Sequence, residues 1–128
     1  MSRQDAPLYV RSHDLARSLL DAVVSWPDAP RRVLGEPLAT EVRTLLTAVA
    51  LALAFPDDRA AHQRAADDAL LRLRVLLRLA TAMGLISEGA ASAAHAELTD
   101  MGRMLGGWRK REYKRLEKRS ASSERDLR

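Results

Sequence analysis

The chain has no cysteine, so neither a disulfide framework nor a thiolate zinc site is open to it. Aromatic residues are nearly as scarce, with two Trp, two Tyr and one Phe. The β-branched and aromatic runs that pack well on pleated sheets are missing. Long apolar runs are missing too. The best, Ala48 to Phe55, is too short to cross a bilayer. Met1 to Val10 carries Arg3 and Asp5 and has no apolar stretch of the signal-peptide kind. These absences predict a cytoplasmic protein with no membrane contact. What is present is 47% hydrophobic residues, dominated by Ala and Leu. Both are strong helix formers, so the composition predicts an all-α protein. A length of 128 residues fits one domain.

Proline and glycine divide the chain into four expected helices. The first runs from about Leu8 to Ser25 and stops at Trp26-Pro27, because a residue before proline avoids the helical region. Trp26 to Gly35 (WPDAPRRVLG) is expected to be a loop. The second helix starts near Glu36, with Pro37 in its first turn, and ends at Phe55-Pro56. Asp57 or Asp58 is the expected cap of the third, which runs to Met83 with Gly84 as its stop. Ser87 is the expected cap of the fourth, which reaches Trp108 and continues to about Leu116. The Ser-rich end (RSASSERDLR) is expected to fray. The implied layout is an N-terminal arm at 1–7, a bundle at 8–117 and a flexible basic tail at 118–128.

The third helix is apolar around most of its circumference. Leu70, Leu73, Leu77 and Ala80 share one side, while Leu71, Val75 and Leu79 cover another. Gln63, Asp67, Arg74, Arg78 and Thr81 are expected to form its polar wedge. A small four-helix bundle has no central helix, so the second apolar side is expected to pack on another subunit. Leu71, Arg72, Val75 and Leu79 are therefore the expected oligomer or partner interface. Arg72 sits opposite Leu70, either in an ion pair at that seam or exposed with its stem along apolar surface.

The fourth helix carries an apolar seam of Ala91, Ala94, Leu98, Met101, Leu105 and Trp108. Arg103, Lys110, Arg111, Lys114, Arg115 and Lys118 lie away from that seam and form a basic stripe. Charge is uneven along the chain. From Arg103 onward ten basic residues face four acidic ones, while residues 1–102 hold eleven and thirteen. A basic segment on a near-neutral body suits a polyanion, so the stripe is the expected nucleic-acid-binding surface. Gly106-Gly107, just before Trp108, is expected to serve a bend or a close backbone approach.

Nothing in the sequence builds a catalytic centre. His13, His62 and His95 fall on three different helices with no second ligand at metal spacing. Asp57-Asp58 stands at a helix start, where acids complement the dipole. Asp67-Asp68 are adjacent and splay apart. There is no phosphate-binding glycine loop and no Gly-x-Ser-x-Gly. A protein that is not an enzyme, with no cofactor and no metal, is the expectation.

Three stretches together resemble a known family. They are Ala65 to Leu79 (AADDALLRLRVLLRL), Gly84-Leu85-Ile86, and Asp100 to Trp108 (DMGRMLGGW). Tyr9, Trp26-Pro27 and Arg31 to Gly35 (RRVLG) fit the same layout. The chain, from about Leu8 to Arg111, is similar to the Avd family, the accessory variability determinants of diversity-generating retroelements. The same superfamily holds proteins encoded in intervening sequences of ribosomal RNA genes. The resemblance implies an up-down four-helix bundle assembled into a ring-like homopentamer. It implies as partners the retroelement's reverse transcriptase, RNA and DNA without sequence preference, and further copies of the chain. It implies a non-catalytic role in mutagenic copying of template RNA. The other readings of the residues are a stand-alone RNA-binding bundle and a purely structural helical oligomer.

Overall fold

The computed structural model describes residues 6–127. Residues 1–5 of the expected N-terminal arm lie outside them, and residues 6 and 7 already belong to helix α1 (Ala6–Val24). A single turn, α2 (Asp28–Pro30), follows Trp26-Pro27, then a π-helical turn at Arg31–Gly35. The remaining helices are α3 (Glu36–Ala54), α4 (Arg59–Ala82) and α5 (Glu88–Asp126). No strand occurs among the described residues.

The four long helices pack around one core. α3 lies against both α4 and α1, and α5 lies against α4 and α1. Leu38, Leu45, Leu73, Leu77, Leu98, Met101 and Leu105 are sealed from solvent. Each such side chain contributes about 1.5–3 kcal/mol of burial. Arg11 clasps α1 to α5. Its Nε and Nη2 donate to the two oxygens of Glu97 at 2.7 and 2.8 Å, and Nη2 also reaches Asp100 at 3.2 Å. These carboxylates hold the guanidinium even more firmly protonated than usual.

The caps follow local chemistry. Gly84 adopts φ +74°, and its N–H donates to the Thr81 carbonyl while that of Leu85 donates to Ala80. This is a Schellman turn, which a glycine completes without strain. The Ser87 hydroxyl accepts from the Ala90 N–H at 3.2 Å and starts α5.

Several expectations are corrected. The loop placed at Trp26 to Gly35 is mostly helical, and Asp28–Ala54 runs as one continuous helix. Pro37 accounts for the π turn. It has no N–H to give, and its ring would clash with the Val33 carbonyl in an α-helix. The Glu36 N–H bonds instead to Arg31, five residues back. By length and hydropathy this joined helix is sufficient to cross a membrane, which no run in the sequence was expected to be. Its Leu38, Val42, Leu45 and Val49 are buried against the other helices, the pattern of a core helix.

Asp58 stands at the start of α4, but its side chain makes no capping bond. Gln63 is not on a polar wedge. It lies seven residues before Leu70, hence on the same face, and is 1% exposed. α5 continues through the Ser-rich segment to Asp126, and Gly106-Gly107 does not break it. A Cβ on Gly106 would meet nothing within 4 Å, so no close approach requires that glycine. The close approach is at Gly35, where a Cβ would come within 2.8 Å of Val23.

Candidate functional site

α5 buries Leu98, Met101, Leu105 and Trp108 and turns its opposite side to solvent. Arg103, Lys110, Arg111, Lys114 and Lys118 are all exposed there. The structure nevertheless divides the expected stripe. Lys110, Lys114 and Lys118 recur every fourth residue and form no ion pair with any described residue. Arg103 has only a long contact to Asp100, at 3.8 Å. Arg111 has an interaction of its own. Arg115 turns inward, pairing with Glu112 and reaching the Pro56 carbonyl at 3.4 Å. Its guanidinium is tied to a carboxylate that Arg59 shares, which leaves a lysine row as the open part of the surface.

Glu112 is a polar residue that sequence reasoning missed. It follows Leu105 and Trp108 at core spacing, and its side chain is 3% exposed. A carboxylate so placed must be paired. Arg59 approaches it at 3.5 Å and Arg115 from the next turn. Arg59 also donates to the Ala52 carbonyl at 2.7 Å and stands 5.7 Å over the Trp108 ring. The signal was in the sequence, since an acid at a core position calls for a basic partner. Gln63 lines the same α4–α5 groove, and its buried Nε2 has no hydrogen-bond partner among the described residues.

α4 presents the second surface. Leu71, Val75 and Leu79 are 61%, 51% and 50% exposed, and Met83 extends the row. Beside them lies a shallow groove of about 650 Å³, with Pro37, Thr40 and Glu41 of α3 opposite Leu71 and Val75. Arg72 at its edge pairs with Glu41 of the same chain, so this arginine is already satisfied.

His13, His62 and His95 stay on three helices, and no group of three metal-binding side chains converges among the described residues. The structure thus brings together a lysine row on α5 and an apolar row on α4, on separate helix faces. Compared with family models, with curated proteins and with solved structures, the chain matches none of them.

Proposed function

We propose that the chain is a non-catalytic accessory subunit of a diversity-generating retroelement, an up-down four-helix bundle that works as a ring of copies. Its lysine row holds RNA or DNA phosphates, and its apolar row joins it to other copies or to the reverse transcriptase. The observation that carries this reading is the separation of the two exposed rows. Leu71, Val75 and Leu79 are a row of large apolar side chains left in water, as at an interaction surface. Lys110, Lys114 and Lys118 are cations on a different helix with no ion pair to any described residue. A subunit can therefore use one row for assembly while the other stays free for a polyanion. In a ring the lysine row repeats in every copy, so a modest local charge becomes multivalent. The number five comes from the resemblance alone.

Binding to single-stranded RNA should fall steeply with salt, because phosphate contacts release counterions. Changing Lys110, Lys114 and Lys118 together to Glu should lower affinity more than about tenfold at moderate salt and flatten the salt dependence. Equal binding by parent and variant would overturn the nucleic-acid role. Sedimentation at micromolar concentration should show an oligomer. A stable monomer would overturn the ring, and absence of a neighbouring reverse transcriptase gene would overturn the retroelement.

A further inference from the structure

We propose that Arg74, Arg78 and His95 form a site for one tetrahedral oxyanion, the phosphoryl group of a phosphate ester. Arg74 and Arg78 stand one turn apart on α4, and His95 and Thr99 one turn apart on α5. These four residues line a depression of about 440 Å³, with no carboxylate among them. The acids next to them on α5, Glu97 and Asp100, are drawn to Arg11 on the α1 side.

The two arginines differ from the ion-paired ones in the chain. Arg11, Arg59, Arg72, Arg109, Arg115 and Arg119 each meet a carboxylate. Among the described residues Arg74 meets only the Leu98 carbonyl, at 3.3 Å. Gly102 leaves room for it, since a Cβ there would come within 3.4 Å of its Nη2. Arg78 has no hydrogen-bond or ion-pair partner among the described residues. Two guanidiniums with unused donors facing one depression are the arrangement that planar forks offer to phosphate oxygens. His95 is held below the usual histidine value, first by partial burial and then by Arg78 and Arg74. The neutral ring offers an N–H in a positive potential, which an arriving anion would relieve. The Thr99 hydroxyl donates to the His95 carbonyl and forms part of the lining.

This site is independent of the lysine row, so the two can be tested apart. The phosphoryl group could belong to a free ester or to a nucleic-acid strand. The full chain is titrated with inorganic phosphate while the ring proton signals of His95 are followed, assigned with His95→Gln. A saturable shift is expected. Arg78→Gln should raise the half-saturating concentration at least tenfold, and Lys114→Gln should leave it unchanged. Arg78 ties no helix to another, so its variant should keep the parent's helicity. A His95 signal that phosphate does not move, or that Arg78→Gln leaves responding as before, would overturn the site. A single-stranded RNA oligonucleotide is the second arm. Half-saturation of the His95 shift at lower concentration than with inorganic phosphate supports the site with a strand as the source. An unmoved His95 signal with RNA, beside a response to inorganic phosphate, supports it with a small ester as the source.

Discussion

Leu73 and Leu71 sit two residues apart on α4, and one is sealed while the other is mostly in water. The inner face of this helix, Leu70, Leu73, Leu77 and Ala80, meets α3 and α5. The outer face, Leu71, Val75 and Leu79, meets nothing among the described residues that covers it. Both faces look alike in sequence. Apolar pattern reports how much burial a helix wants, and a single chain satisfies only part of that demand here. The comparison also separates two roles, that of holding the fold and that of the proposed assembly.

The largest effect should come from charging each face in turn. Leu77→Asp buries an unpaired carboxylate, a cost of several kcal/mol against a total of about 5–15. Far-UV circular dichroism at room temperature should show the helices lost. Leu79→Asp should leave the melting curve nearly unchanged and, under the proposed assembly, lower the sedimentation coefficient relative to the parent. Equal melting losses in the two variants would erase the distinction between the faces.

The next contrast lies along α5. Glu112→Ala strands Arg59 and Arg115 beside a buried gap and should cost about 3 kcal/mol, read from urea midpoints. Glu117→Ala, on an exposed position, should change stability by less than about 0.5 kcal/mol.

The glycines invert sign. Gly35→Ala pushes a methyl into Val23 and should destabilise by about 1–3 kcal/mol. Gly106→Ala fills open space on a helix and should stabilise by up to about 1 kcal/mol. Thermal melts of both variants check the pair.

What was legible in the sequence was local. Gly84 and Ser87 announce themselves because a left-handed stop and a hydroxyl cap involve only nearby residues. The α5 seam was legible because its spacing is regular. The WPDAPRRVLG stretch was not, because two prolines and a glycine read as loop punctuation. Pro27 instead stands just before a helical turn, Pro30 fits within it, and Gly35 answers to Val23 on another helix. Glu112 and Gln63 were not legible, because their polar identity points to solvent while their helical position places them in the core. On the candidate surface, the stripe was readable as a helix face. That Arg115 belongs to Glu112 depends on a buried partner that composition does not display.

The smallest effect is on pH. His95 is held below its ordinary 6.5, so the unfolded chain takes up this proton at higher pH than the folded one. Its contribution is complete above that value and is lost as pH falls through it. His95→Asn should therefore reduce the stability lost between about pH 7.5 and about pH 5.5, measured as the difference in urea midpoints.

The π turn at Arg31–Gly35 has a consequence for tolerance of length. A five-residue hydrogen-bonded loop holds one residue more than an α-helical one. In phase terms it is slack, worth about 100° of rotation. Deleting one residue among Arg31 to Val33, together with Pro37→Ala to remove the ring that opposes α geometry, is absorbed there by reverting to an α-helix. The registration of Leu38, Val42, Leu45 and Val49 against the core would then be kept. The same deletion between Leu38 and Val49 has no slack to draw on, and would turn half of the buried row out to water.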